Sequence, residues 1–545
     1  MIKVLLFAIF FAQKAFSQDT WDWLRIDCGS DTSYKDANGD TWNSDDDYVK
    51  TGDNKQVAPS SSSEVEQLNT LRVFSEQNKN CYTLPTPSST RYLVRAMFWY
   101  GNYDGLSKPS TFDLEFDGNK WATVVTNMNN FTYYEMIYAT RGDSISICLA
   151  RTQDQQFPFI SRLESLPLPD EMYPQMRRDM AWFNSYRYDY GANDTILGYP
   201  ADPYNRIWEP SIPPGLRPVT ANFTSIDVTS VNDPPDSAII TAVEAQSSTD
   251  TIDLSFGFGH VSHLDHVEMY FTEPILQTGE TRSFSVTVNN SYVNTTNPEY
   301  QNCVSIGANS LSFGTLNVQL VPTNESTLPP IISAIEVYTV SEPLVTATTS
   351  QNDCKAHFIS PLNGLGEFVH TFEQLKGWSG EPCLPNDTIW QWLKCSTDDQ
   401  PPRVTAICLS GYGLQGALPD FSQMDALEVI DMHNNTLDGE IPDFLGKLPN
   451  LRILSVTCSN IHVLKFQTKS FFFPCVSHSD LRDNDFSGYV PPTITDNKQL
   501  DFKIDGNKNI KYPKSKKAEK IAATVVSNII FLIVLICCCC CCCKR

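Results

Sequence analysis

The chain has 545 residues, with 40 Lys and Arg against 63 Asp and Glu, for a net charge of −23. That balance argues against nucleic-acid binding, which needs cations clustered on a folded face. The length allows about three or four domains, and 41% hydrophobic residues suffice for ordinary cores.

In chain order, a secretory signal peptide is expected first, over residues 1–17. Lys3 gives the charged start, residues 4–12 are apolar, and Ala15 and Ser17 are small residues at the cleavage positions. The rest then enters an oxidising lumen, where cysteines pair. Residues 22–345 are dense in short alternating runs, aromatics, Pro and Gly, the pattern of β-sandwiches. The run Tyr92-Leu-Val-Arg-Ala-Met-Phe-Trp-Tyr100 reads as a strand. Gly101, Asn102 and Gly105 then permit a tight turn with Tyr100, Tyr103 and Asp104 on its rim. Aromatic faces beside a carboxylate suit the stacking and hydrogen bonding that sugars need. Tyr133, Tyr134 and Glu135 offer a second loop of similar composition. The plain alternative for each aromatic is packing in the sandwich.

An internal repeat runs through this region. Met97-Phe98-Trp99 matches Met269-Tyr270-Phe271, and Phe112-x-Leu-x-Phe-Asp-Gly matches Phe284-x-Val-x-Val-Asn-Asn. Pro158-x-Ile-Ser-x-Leu-Glu164 matches Pro330-x-Ile-Ser-x-Ile-Glu336. All three pairs share one offset, since 269−97, 284−112 and 330−158 each equal 172. Two homologous lobes follow, 22–190 and 195–345, with a boundary near 185–200. His260-x-x-His263-x-x-His266 is the His cluster of the chain. Three His can hold zinc, but strand alternation turns His263 away from the other two, so a chance surface cluster is expected. Asp45-Asp46-Asp47 reads as a solvated loop, with calcium as the alternative. No Gly-x-Ser-x-Gly elbow, P-loop or zinc-protease motif is present. The reading is therefore non-enzymatic, with no catalytic residue, metal or cofactor.

The run Leu93-Val-Arg-x-x-Phe-x-Tyr-Gly-Asn-Tyr-Asp104 closely resembles the plant malectin-like domain, found in the extracellular part of many receptor-like kinases. Ile26-Asp-Cys-Gly29, Trp121-x-Thr-Val124, Asp202-x-Tyr-x-Arg-Ile-Trp208 and Leu328-Pro-Pro-x-Ile-x-Ala-Ile-Glu336 extend the resemblance over residues 22–345. It implies a mainly β fold of tandem malectin-like sandwich lobes. In animal malectin, aromatics and an acidic residue on the loops of one sandwich hold a diglucose. The matching motif therefore implies ligand binding at Tyr100, Tyr103 and Asp104, with Tyr133, Tyr134 and Glu135 as weaker candidates. Some plant relatives instead bind secreted peptides together with protein co-receptors, so both ligand classes stay open.

Residues 346–375 read as a connector. Gly377-Trp-Ser-Gly-Glu-Pro-Cys383, with Trp390, Trp392 and Cys395, resembles the cap that precedes leucine-rich repeats in plant receptors. The resemblance places the cap over 376–400 and implies a Cys383–Cys395 bridge. A short leucine-rich repeat solenoid is expected over 401–510. Leu427-x-x-Ile430-x-Met432-x-x-Asn435-x-Leu437-x-Gly439-x-Ile441-Pro442 is a clear unit, and starts at 404, 427 and 451 give spacings of 23 and 24. The third unit breaks after Leu451-Arg-Ile-Leu454 and resumes at Asp480. Removing 455–479 restores the pattern. The insert ends near Phe471-Phe-Phe-Pro-Cys475, whose codons are pyrimidine-rich, and it reads as a retained intron; a genuine loop insertion is the rival. Without it, eight lumenal cysteines remain (28, 81, 148, 303, 354, 383, 395 and 408), an even number that permits full pairing.

Sequons stand at Asn130, Asn193, Asn222, Asn289, Asn294, Asn324, Asn386 and Asn434, as suits a glycosylated ectodomain. Residues 521–543 are apolar and long enough for one C-terminal transmembrane helix. The seven consecutive cysteines 537–543 are candidates for palmitoylation. The expected protein is a single-pass type I receptor-like glycoprotein at the plant plasma membrane. It would recognise a carbohydrate or peptide and signal through a partner receptor kinase or co-receptor, since no kinase domain follows the span. The rival is a carbohydrate-binding protein of the endoplasmic reticulum membrane acting in glycoprotein quality control.

Overall fold

The computed structural model describes residues 23–87, 89–193, 196–275, 279–345, 353–355, 363–375, 377–452, 479–512 and 529–530. The signal peptide, nearly all of the 455–479 insert and nearly all of the 521–543 span lie outside them. Among the described residues, no helix is long and apolar enough to cross a membrane. The chain divides into two compact units, 1–346 and 347–545.

Within the first unit, the two lobes share one sheet. Its hydrogen-bonded order begins with the strands Leu24–Asp27, Arg162–Leu168, Arg91–Phe98 and Thr132–Ala139. It continues through Ala181–Tyr190, Ala334–Val340, Ile252–Phe271, Val304–Pro322, Phe284–Val288 and Ser291–Thr296. Alternation decides the faces. On Arg91–Phe98, Tyr92, Val94, Ala96 and Phe98 enter the core of the first lobe, while Leu93 turns to a separate cluster with Ile137 and Trp182.

The offset of 172 appears as structure. The strand Arg162–Leu168 returns as Ala334–Val340, and Phe159–Ile160 returns as Ile331–Ile332. The lobe boundary, however, falls earlier than expected. Ala181–Tyr190 pairs with Ala334–Val340 through Arg187↔Glu336, as Leu24–Asp27 pairs with Arg162–Leu168 through Arg25↔Glu164. It is therefore the first strand of the second lobe. Arg25-Ile-Asp-Cys-Gly29 is echoed by Arg187-Tyr-Asp-Tyr-Gly191 at an offset of 162, which the constant 172 concealed.

The matching details extend to single contacts. Thr70 donates to Asp27 at 2.6 Å, and Thr241 donates to Asp189 at 2.6 Å. Gly29 and Gly191 both have positive φ, and a Cβ on either would stand 2.2 Å from a carbonyl oxygen, of Leu71 or Ala242. Glycine is required at both by close approach as well as by φ.

Disulfides join Cys81 to Cys148 and Cys383 to Cys395, and Cys408 is also disulfide-bonded. Cys28 and Cys303 are buried free thiols, so pairing of all eight cysteines does not occur.

In the second unit, short strands stack in parallel: Val404–Cys408, Val429–Asp431, Ser479–Asp480 and Phe502–Lys503. An asparagine column ties the turns. Asn435 donates to Leu409 O at 2.9 Å and accepts from Leu414 N at 3.0 Å. Asn484 and Asn507 repeat this, accepting from Leu437 N and Phe486 N at 3.0 Å each. The expected connector is partly a cap: Leu365 and Phe368 of the helix Leu365–Thr371, with Phe372 and Leu375, join the apolar core of the stack.

Candidate functional site

The Gly-Asn-Tyr-Asp loop folds back on itself. Gly101, Asn102, Gly105 and Ser107 all have positive φ. A Cβ on Gly101 would lie 2.3 Å from Val57 Cγ1, so this glycine seats the turn against the lobe. Tyr100 is 1% exposed. Its hydroxyl donates to Asp104 and accepts from Lys108 N at 3.0 Å. Tyr103 meets Tyr100 edge-on at 5.5 Å and lies 5.7 Å from Phe159. Burial, then the Asp104 carboxylate, raises the Tyr100 hydroxyl to about 12. The loop therefore spends Tyr100 on its own architecture. Half-buried Asn102 and Tyr103, and exposed Asp104 and Leu106, form its accessible rim. Leu106 is 72% exposed.

The second expected loop is corrected. Tyr133, Tyr134 and Glu135 lie within the strand Thr132–Ala139. Tyr134 packs edge-on against Phe98 and donates to Thr123 O at 3.1 Å. Glu135 is buried between two guanidiniums, pairing with Arg95 and, at 2.8 Å, with Arg187. Its charge is answered inside the sheet and it is 2% exposed, so it does not stand on a rim.

Glu135 belongs to a row of charges that crosses the shared sheet. Six neighbouring strands each contribute one residue: Glu164, Arg95, Glu135, Arg187, Glu336 and Glu268. Arg95 pairs directly across from both Glu135 and Glu164. Arg187 Nε donates to Glu336 at 2.8 Å. Burial alone would push Glu336 up, but Arg187, Arg206 and the hydroxyls of Tyr338 and Tyr270 hold it at about 2. Glu135 and Glu164 are likewise held below the usual range, burial being outweighed by their arginine partners.

The motif from Asp202 to Trp208 covers this row. Asp202 accepts from Arg206 Nε at 2.8 Å and from Trp208 Nε1 at 2.7 Å. Arg206 in turn donates to the Tyr173 hydroxyl at 3.1 Å and to Asn232 O at 2.7 Å. Removing one partner from such a buried network leaves an uncompensated charge. Its chemistry is alignment of the two lobes. The sequence flagged Glu164 and Glu336 inside the internal repeat and Arg206 inside a motif of the family resemblance, but nothing in it paired them with Arg95 or Arg187.

Two further expectations change. Asp45 is fully buried rather than solvated: it pairs with Arg72 at 2.6 Å and accepts from Tyr82 at 2.7 Å. His266 is also buried, stacked on Trp182 at 4.0 Å and within 2.9 Å of Asn309 Oδ1. It packs because its strand position, paired with Tyr338, turns it toward the cluster that holds Trp182 and Tyr338. Among the described residues, no group of His, Cys, Asp or Glu is placed to hold a metal.

A family model for the malectin-like domain matches residues 26–340. A probable LRR receptor-like serine/threonine-protein kinase of Arabidopsis thaliana is 34% identical over 441 residues, covering 77% of this chain and 50% of its own. A second kinase of the same description and organism is 30% identical over 417 residues, covering 74% and 47%. The chain spans about half the length of these curated relatives. Among solved structures, the ANX2 ectodomain of Arabidopsis thaliana aligns with a TM-score of 0.50 at 16% identity, covering 59% of this chain and 97% of that one. At that identity the likeness concerns the fold alone.

Proposed function

Because the chain belongs to the malectin-like domain family, we propose that it is a non-enzymatic receptor-like protein that recognises a secreted polypeptide at the plant cell surface. The relatives described as receptor-like kinases match it over most of its length, which supports a receptor role. One observation favours a polypeptide over a sugar: Tyr100, the aromatic that should stack on a sugar ring, is 1% exposed and has its hydroxyl engaged. Asp104 Oδ1 and Asn102 Oδ1 are likewise used within the loop, but the rim still offers the second oxygen of Asp104, the Asn102 amide nitrogen and the apolar Leu106, groups that suit a peptide backbone and a mixed side-chain surface. Carbohydrate binding remains the second reading, carried by the half-buried edge of Tyr103.

In this reading the parallel stack is a leucine-rich repeat block serving as a stalk or co-receptor face, 521–543 anchors the chain in the plasma membrane, and a partner kinase carries the signal. The endoplasmic reticulum alternative predicts glycans wholly sensitive to endoglycosidase H. The ligand reading is tested on purified residues 18–345, with a glycan array and with calorimetry against secreted peptides. Peptide binding lost in a folded Asp104→Ala, Leu106→Ala variant supports it. Binding to a glycan, lost in Tyr103→Ala, would replace it.

The insert reading also rests on packing. Across the parallel strands, one column runs Ile407, Ile430, Ser479 and Phe502. Beside it lies a small apolar cavity lined by Leu418, Ile430, Leu445, Leu451, Leu481, Leu500 and Phe502. Joining Leu454 to Asp480 would put a leucine in that column. Deleting 455–479 is therefore expected to raise the melting temperature of the second unit, which calorimetry on both forms would show.

A further inference from the structure

We propose that Asn289 is a structural clamp that carries no glycan, although it heads a sequon, and that the glycan of this hairpin sits on Asn294 instead. Asn289 and Asn290, both with positive φ, form the tight turn between Phe284–Val288 and Ser291–Thr296. The Asn289 backbone N–H donates to Asn317 O at 2.8 Å, and its side-chain Oδ1 accepts from Asn317 N at 2.9 Å. Its Nδ2 faces three acceptors: Ser310 Oγ at 2.9 Å, Leu311 O at 3.1 Å and Ser312 Oγ at 3.3 Å. An amide nitrogen has two hydrogens to give, so Nδ2 is fully engaged.

The internal repeat supplies independent support. At the offset of 172, Asn289-Asn290 corresponds to Asp117-Gly118 in the first lobe. Asp117 has the same positive φ, donates its N–H to Ser146 O at 3.0 Å, and accepts from Ser146 N at 2.8 Å. Its second oxygen accepts from the Tyr138 hydroxyl at 2.9 Å, where Asn289 reaches residues 310–312. The position is a clamp in both lobes, and an aspartate cannot accept a glycan. The side-chain oxygen is the common element; the amide nitrogen of Asn289 merely adds donors.

Glycosylation forms a bond from Nδ2 to C1 of N-acetylglucosamine. The C1–O bond to a lipid diphosphate donor breaks, the lipid diphosphate leaves, and Nδ2 loses a proton. On Asn289 this would remove one donor hydrogen and place a sugar ring among Ser310, Leu311 and Ser312. Asn294 meets no such obstacle among the described residues: it is exposed on the outermost strand of the sheet, and its Oδ1 accepts from the adjacent Thr295 N at 2.8 Å.

The test uses the full chain produced in plant cells. Enzymatic release of N-glycans in heavy-oxygen water, followed by peptide mass spectrometry, marks every formerly glycosylated asparagine. The label is expected on Asn294 and absent from Asn289; label on Asn289 in folded protein overturns the proposal. Two variants separate clamp from sequon. Ser291→Ala removes the sequon and keeps the clamp, and should leave the melting temperature of the first unit unchanged. Asn289→Gln removes both, and should lower it by about 4 °C or more. Equal losses in the two variants would mean that a glycan stabilises the site, and no loss in Asn289→Gln would remove the clamp.

Discussion

The two lobes share an ancestry of pattern but divide their strands differently. In the first lobe, Lys79–Pro85 and Arg91–Phe98 are separate strands in separate sheets, as are Thr132–Ala139 and Ser144–Ala150. In the second lobe, each pair is fused. Ile252–Phe271 spans the counterpart of the first pair and Val304–Pro322 that of the second. The physical reason lies in the linking residues. Pro85 and Pro87 stand where the first lobe breaks, and proline cannot donate to a ladder. The second lobe has Gly257-Phe-Gly-His-Val-Ser262 there, which continues the strand through a bulge opposite Gly314. The separate sheet of the first lobe is stapled by Cys81–Cys148 across paired positions. The second lobe has no disulfide among the described residues and links Gln319 to Asp253 instead, at 2.7 Å. A sheet severed by proline is secured covalently, while a continuous one relies on its ladder.

The largest test strikes the residue on which the lobes differ most. Arg25 lies at the sheet edge, pairing with Asp40 and stacking on Trp23. Arg187 is its counterpart at the centre, 1% exposed and bound to Glu135 and Glu336. Arg187→Leu should cost about 3–5 kcal/mol, because two carboxylates lose a buried partner. Arg25 is itself buried, 8% exposed, but answers one carboxylate, Asp40, where Arg187 answers two, so Arg25→Leu should cost less, about 1–3 kcal/mol. Denaturant unfolding of both variants would show it, and equal losses would dismiss the contrast.

Next comes the staple. Replacing Cys81 and Cys148 by alanine should cost about 2–4 kcal/mol. Hydrogen exchange should rise over 79–85 and 144–150 and stay level over 252–257 and 316–322.

The third test is pH. Burial raises Asp189 to about 6, with Thr241 the side-chain donor opposing it. The folded state therefore holds this proton more tightly than the unfolded state, where a carboxyl titrates near 3.9. Stability is greatest below about pH 4 for this group and falls as pH rises through about 6. Asp189→Asn should flatten that dependence and stabilise the protein at pH 7 by about 1–3 kcal/mol. Asp27 has a second donor, Tyr34 at 2.7 Å, and Asp27→Asn should gain less. A larger gain for Asp27→Asn would show that the second hydroxyl does not favour the charged form.

Much of this was legible in the residues. The malectin-like words and the β character follow from local pattern, because alternation and turn glycines act within a few positions. The Cys383–Cys395 bridge followed from the capping motif, and the spacing of 23–24 from the apolar positions that must face a shared core. The offset of 172 disclosed two lobes before any contact was known. The candidate site was less legible. Gly101, Asn102 and Gly105 announced a tight turn, but whether Tyr100 faced solvent depended on Phe159 and Asp104 filling its surroundings. Glu135 read as a rim acid because composition cannot see that Arg95 and Arg187 flank it from neighbouring strands.

The sequence by itself determined the β character, the strand ending at Phe98 with the tight turn after it, and that the unit is duplicated, since these rest on local geometry and periodicity. Tertiary structure alone decided that the lobes join through one sheet, that charges from six strands align across it, and that Asn289 is spoken for. Those outcomes depend on partners far apart in sequence, such as Asn289 with Leu311, 22 residues away, and Tyr173 with Glu336, 163 away. Burial fixes such pairings by making every unmatched charge or amide costly, and no local pattern records which partner answers.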